Sequence, residues 1–128
     1  MKLLLDTHAA LWLINEYEKL SPKASDLILD DNNELFLSVA SLWEIAIKVS
    51  KGKLTELNGG VNTFITQIEN MPIELLPITP NQTIIIEKLP FIHKDPFDRI
   101  IVATATSENM TILTDDNDVQ KYDVPSAW

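Results

Sequence analysis

Cysteine is absent from the chain, which excludes disulfides, thiolate metal sites and a cysteine nucleophile, and is compatible with a reducing compartment. Long apolar runs are absent as well. None approaches the roughly 18 residues that span a bilayer, and Met1-Lys2-Leu3-Leu4-Leu5-Asp6 meets a charge too early for a signal peptide. A cytoplasmic protein without membrane contact is therefore expected. Basic residues are scarce, with 10 Lys and Arg against 19 Asp and Glu, for a formal net charge of -9. A nucleic-acid binder that relies on a broad basic face needs clustered Lys and Arg. For a protein acting on nucleic acid, the deficit points either to acids that ligate divalent cations or to a surface matched to a basic protein partner.

What is present is apolar content enough for one core, 45% of 128 residues, so residues 1–128 read as one domain. Short apolar runs at 2–5, 35–37, 73–76 and 111–114 read as buried strands. Helical periodicity fills 7–16, 21–30, 38–51, 60–70, 79–89 and 95–108 between them. Strands alternating with helices predict an α/β fold with a parallel sheet covered on both faces. Asp95-Pro96 marks a helix start, while Gly52 after Lys51 marks a helix end.

In an open parallel sheet, ligands gather beyond the carboxyl ends of the strands, so the acids to examine follow strands or open the next helix. Asp6 ends the first strand, and from position alone it serves equally as a helix cap or a functional group. Glu44 shares a narrow polar stripe with Ser41 and Lys48 on a helix otherwise rich in apolar residues. On pattern alone it is a solvated Glu paired with Lys48 at i+4, with a stripe that faces a polar cleft, given how apolar the helix is, as the second reading. Trp43 and Ile47, on the flank of the apolar arc, read as core, with a partner surface as the second reading. Asp98 stands in the first turn of its helix, where the dipole favours an acid whatever its role. Asp115 and Asp116 follow the last clear strand, and with Asn117 and Asp118 resemble a turn plus a cap. Carboxylates collected at one sheet edge repel unless cations sit among them. Hard oxygen ligands without Cys or a His pair favour magnesium or manganese over zinc. His8 and His93 lack zinc spacing and are assigned structural or supporting roles.

Four segments, Leu3-Leu4-Leu5-Asp6-Thr7-His8, Ser38-Val39-Ala40-Ser41-Leu42-Trp43-Glu44-Ile45, His93-Lys94-Asp95-Pro96-Phe97-Asp98-Arg99 and Thr114-Asp115-Asp116, in this order and at these intervals, carry a resemblance. The sequence resembles the PIN-domain nucleases, specifically the VapC-like toxins of type II toxin-antitoxin modules, over nearly its whole length. The resemblance implies a doubly wound α/β/α sandwich with about five parallel strands in the order 3-2-1-4-5. It implies that Asp6, Glu44, Asp98 and Asp116 are catalytic and bind one or two Mg2+ or Mn2+ ions. Asp115 and Asp118 are near enough to replace Asp116, and Val119 stands where the family often has a larger apolar residue. It also implies an RNA substrate, a small antitoxin partner and a homodimer. Thr7, Ser41 and Thr114 are candidates to orient carboxylates or waters. Arg99 is read as a phosphate contact or, more readily, a surface salt bridge. Two other function classes compete: a phosphoryl-accepting receiver or haloacid dehalogenase-like domain, and a non-catalytic PIN-like binding module. The dehalogenase pattern needs Asp-x-Asp where this chain has Asp6-Thr7-His8, and a binding module is expected to have lost its metal ligands.

Overall fold

Residues buried on both faces of a sheet favour continuous apolar strands. In a computed structural model that describes residues 1–128, such runs form β1 (Lys2–Leu5), β2 (Glu34–Ser38), β3 (Ile73–Leu76) and β4 (Thr111–Leu113). A short fifth strand, β5 (Ser126–Ala127), completes the sheet. All neighbouring strands pair in parallel, and their order is 3-2-1-4-5, as the resemblance implied. β1 lies at the centre, with Leu3, Leu4 and Leu5 fully buried. Alternation sends Leu3 and Leu5 into one apolar layer and Leu4 into the other.

The larger layer packs under α1 (Thr7–Asn15), α2 (Pro22–Leu29), α3 (Val39–Ser50) and α4 (Gly60–Glu69). The smaller layer packs under α6 (Pro96–Glu108) and α7 (Asn117–Gln120), with α5 (Pro80–Lys88) laid against α6. The expected helices and strands match these elements to within about two residues at each end. α7, β5 and a single 3-10 turn at Tyr17–Lys19 are additions. No helix is long and apolar enough to cross a membrane.

Side-chain oxygens fix most helix starts. Asp6 caps α1, Ser21 caps α2, Ser38 caps α3, Asp95 caps α6 and Asp116 caps α7, each worth about 1 kcal/mol. Thr79 and Gln82 form a reciprocal capping box at α5. The strand register then places the chemistry. Leu5 lies opposite both Leu37 and Leu113, so the residues that follow, Asp6, Ser38 and Thr114, emerge at one carboxyl edge. Crossover helices run back from that edge, which brings the first turn of α6 to it as well.

Candidate active site

Asp6 is the innermost acid. Its backbone N–H reaches Leu113 O at 3.2 Å, so the central strand is stitched to β4 up to the residue itself. The side chain is buried, and Oδ1 accepts from Ala9 N at 2.7 Å. Cap and functional position coincide here. Burial pushes the Asp6 carboxyl up to about 6, with help from the charges of Asp115 and Asp116 and against the Thr114 hydroxyl and the Ala9 N–H.

Glu44 is the least satisfied polar group in the molecule. Its residue is only 6% exposed, one oxygen meets Lys48 Nζ at 3.0 Å, and the other, Oε1, is buried with no hydrogen-bond partner. The expected pair with Lys48 exists, but the solvated face does not: Glu44 is inside. A buried acceptor without a partner is costly, about 1–3 kcal/mol, and such groups concentrate where a ligand is to arrive. The polar stripe continues inward, where Thr7 Oγ1 donates to Ser41 Oγ at 3.0 Å in a buried contact tying the start of α1 to α3.

Asp98 is partly buried, and burial again pushes its carboxyl up to about 6. The His93 hydrogen bond opposes that rise, while the charges of Asp95, Asp116 and Glu44 add to it. Its neighbours form a directed chain. Arg99 Nη1 donates to Tyr122 Oη at 3.0 Å, Tyr122 Oη lies 2.9 Å from His93 Nδ1, and His93 Nε2 lies 3.1 Å from Asp98 Oδ2. Arginine has no acceptor, so the phenol oxygen accepts from it, while an ionised Asp98 can only accept from Nε2; with His93 neutral, Nδ1 then takes the phenol proton. Nε2 then carries the imidazole proton and donates it to Asp98.

Arg99 departs from both sequence expectations. It is 6% exposed, so it makes no surface salt bridge and cannot reach a phosphate. Its guanidinium donates to Pro90 O at 3.0 Å and to Ile86 O and Leu89 O at 3.4 Å, meeting Leu89 O at the end of α5 and adding a second donor to Ile86 O and Pro90 O, which also accept from Leu89 N and Ile92 N. Trp43 departs too: 60% exposed, it stands edge-on to Phe97 at 5.2 Å and is not core. Ile47 is half-buried.

Asp116 caps α7, accepting from Asp118 N at 2.8 Å and Val119 N at 3.4 Å, and its own N–H donates to Thr114 Oγ1 at 3.0 Å. Its charge acts on both Asp6 and Asp98. Of the alternatives, Asp115 is exposed and acts on Asp6 alone, while Asp118 turns to Lys121 Nζ at 3.4 Å. Asp6, Asp98, Asp116 and Glu44 therefore form one electrostatic neighbourhood. They are not a closed cluster: no three Asp, Glu or His side chains converge tightly enough to hold a metal ion. Glu44 leans to Lys48 and Asp98 to His93. The donor chemistry nonetheless fits a hard divalent cation, because Glu44 keeps an unpartnered buried carboxylate oxygen and its charge is felt at Asp98, whose carboxyl, like that of Asp6, burial raises. Tyr122 is the residue sequence reasoning missed. It lies outside every motif, and only the turn after α7 brings it under His93.

Comparison with known proteins agrees with this geometry. Ribonuclease VapC22 of Mycobacterium tuberculosis (strain ATCC 25618 / H37Rv) is 29% identical over 123 residues, which is 95% of this chain and 92% of that one. The crystal structure of VapBC2 from Rickettsia felis bound to a DNA fragment from their promoter contains a chain of the same fold, with TM-score 0.76 and 21% identity over 100% of this chain and 99% of that chain. FitAcB from Neisseria gonorrhoeae superposes with TM-score 0.63 and 21% identity over 97% and 95% of the two chains. The PIN domain family matches residues 3–125, which sets aside the receiver and dehalogenase alternatives. The capped Asp6 on the central strand, the buried Glu44 and the 3-2-1-4-5 sheet are thus the local features of a chain that belongs to the PIN domain family.

Proposed function

We propose that the chain is an endoribonuclease that hydrolyses phosphodiester bonds with Mg2+ or Mn2+ held by Asp6, Glu44, Asp98 and Asp116, leaving 5′-phosphates. The observation that carries this reading is Glu44 Oε1, buried and unpartnered on a side chain whose charge is felt at Asp98. One or two bound ions would activate water and stabilise the leaving oxygen without a histidine base. The chain's own groups prepare for it. Asp6 is fixed by Ala9 N, Asp98 is oriented by His93, and the Thr7–Ser41 contact holds α1 against α3. Thr114 lies beside Asp6 and fixes the Asp116 backbone.

We further propose that residues 1–128 act as one domain in the cytoplasm, as a toxin restrained by an antitoxin, in line with the names of VapC22 and the VapBC and FitAcB structures. Trp43, Ile78 and Ile84 stand exposed around or near an apolar cavity of about 290 Å3 that Trp43, Ile78 and Phe97 help to line. An apolar surface of this kind supports a protein partner or a second copy of the chain.

The test is cleavage of single-stranded RNA with Mn2+ and with EDTA, by the parent and by Asp6→Asn. Cleavage by the parent that EDTA abolishes, and its loss in a folded Asp6→Asn, is the expected result. Metal-dependent cleavage at parental rate by Asp6→Asn would overturn the assignment.

A further inference from the structure

The ribonuclease reading leaves a physical difficulty, since a chain of net charge -9 must hold a polyanion beside its own acids. Lys94 is exposed and unpaired but lines the apolar cavity with Trp43 and Phe97, and several of the other cationic groups are far away or already engaged. Arg99 is spent on buried carbonyls and the Tyr122 phenol. Lys19 pairs with Glu16 at 2.6 Å, and Lys121 pairs with Asp118 at 3.4 Å. Lys2 opens β1 at the amino edge of the sheet, about 13 Å from Asp6 at ordinary strand rise.

One place is different. A groove of about 240 Å3 has Glu44 in its wall, with Lys48, Lys51 and Lys53 along the same side and Asp95 and Phe97 opposite. Asp95 is already spent as a cap, its Oδ1 accepting from Phe97 N and Asp98 N. Lys51 and Lys53 are exposed and have no ion-pair partner. Their position is set by backbone. Lys53 N donates to Lys48 O at 2.9 Å and Gly52 N donates to Val49 O at 3.0 Å, with Gly52 at φ 73. That paired 6→1 and 5→2 bonding is a Schellman turn, and it folds Lys53 back beside the last turn of α3. Two unpaired lysines, beside a Lys48 held by Glu44, thus line one groove whose wall includes the buried carboxylate.

We infer that Lys51 and Lys53, assisted by Lys48, hold backbone phosphates of the RNA strand on the Glu44 side of the site. This rests on the ribonuclease reading and adds the path of its substrate. Lysine suits the role because it meets phosphate as a point charge without demanding bidentate geometry, so the groove grips any sequence alike.

The experiment measures binding of a short fluorescent single-stranded RNA by anisotropy across a salt series, in an Asp6→Asn background so that no cleavage occurs. Each phosphate neutralised on a single strand releases its counterion and contributes about 0.7 to the steepness of log K against log salt. Adding Lys51→Gln and Lys53→Gln is expected to weaken binding and flatten the slope by about 1.4, leaving the melting temperature and Mn2+ affinity unchanged. A control pair, Lys2→Gln with Lys23→Gln, removes the same charge elsewhere and is expected to leave the slope in place. An unmoved slope in the groove variant, or an equal change in both pairs, would overturn the inference. If the parent cleaves RNA and the groove variant binds it normally, only this inference falls. If the parent neither binds nor cleaves RNA, the ribonuclease reading falls with it. An acidic peptide that binds these lysines in a protein whose RNA affinity ignores them would assign the groove to a protein partner instead.

Discussion

The first turn of α6 and the middle of α3 both feed the same neighbourhood of acids, yet they settle their polar groups in opposite ways. Around α6, nearly every group is met from within: Asp95 caps Phe97 and Asp98, His93 meets Asp98, and Arg99 meets three carbonyls and a phenol. In α3, Glu44 is carried indoors with one oxygen left over. A fully satisfied network rigidifies, whereas a half-satisfied one costs stability and persists where something outside the chain completes it. The α6 groups, Asp98 included, are held from within, whereas Glu44 keeps one buried oxygen without a partner.

Glu44→Gln is the substitution with the largest expected effect. It keeps the shape and removes the charge, so RNA cleavage is expected to fall on the order of 10^3-fold, about 4 kcal/mol of lost transition-state stabilisation. Stability is expected to hold, because a buried charge is removed and Lys48 can turn to water, while one unpartnered polar group is exchanged for another. Single-turnover rates and thermal melts on the same preparation read both. A large loss of stability would erase the contrast with α6 and make Glu44 a structural acid.

Arg99→Met is the mirror experiment. It leaves the Leu89 carbonyl without its donor and strips a second donor from Ile86 O and Pro90 O, which keep Leu89 N and Ile92 N, and the expected cost is about 3 kcal/mol of unfolding free energy. Folded protein is expected to keep most of its cleavage rate. If urea unfolding is unchanged while cleavage disappears, Arg99 belongs to the chemistry and the comparison must be redrawn.

These two residues also mark what could be read from the chain alone. The strand-end Asp6 and the helix-start Asp98 were legible because the chemistry of sheet edges and caps is local, and the sheet order followed from the family resemblance. Glu44 was legible as a position but not as a buried one, since a narrow polar stripe looks the same facing solvent or a cleft. Arg99 was misread because its long stem reaches across to the end of α5, a contact that no spacing rule encodes. β5 has only Ser126 and Ala127, and its pairing is defined by Ile112 N to Pro125 O and Thr114 N to Ala127 O. Gly52 announced the end of α3, yet only the turn it makes brings Lys53 beside Lys48.

Acid–base behaviour sharpens the contrast further, in protein free of divalent ions. The Asp6 carboxyl rises from an ordinary 3.8 to about 6 on folding, chiefly through burial. Between those values the folded state holds a proton that the unfolded state has released, so stability falls as pH rises through the window and levels off above about 6. At about 1.36 kcal/mol per unit, the loss attributable to Asp6 is about 3 kcal/mol. Asp98 acts in the same direction. Urea midpoints of the parent and Asp6→Asn from pH 4 to 7 isolate the effect as a difference, which is expected to grow in favour of the variant with rising pH. Parallel curves would mean that Asp6 is better solvated than its burial requires.

The smallest expected effect tests the scaffold side at its most exact point. Arg99 can only donate, so Tyr122 Oη accepts from it at 3.0 Å, and because an ionised Asp98 accepts from Nε2, a neutral His93 takes the phenol proton on Nδ1 at 2.9 Å. The imidazole therefore presents Nε2–H to Asp98 Oδ2 at 3.1 Å, which holds that carboxylate charged and aimed. Groups that orient a ligating carboxylate are typically worth about 10–100-fold in activity, and His93→Ala is expected to fall in that range. Tyr122→Phe is the finer cut. It removes one oxygen, leaves the ring in the smaller apolar layer, and frees Nδ1 to hold a proton. Imidazole nitrogen shifts are then expected to move from a single Nε2–H tautomer to a mixture, with a loss of cleavage no greater than that of His93→Ala. A spectrum unchanged by Tyr122→Phe would mean that Asp98 alone orients the histidine, and that the chain from Arg99 stabilises the fold without reaching the site.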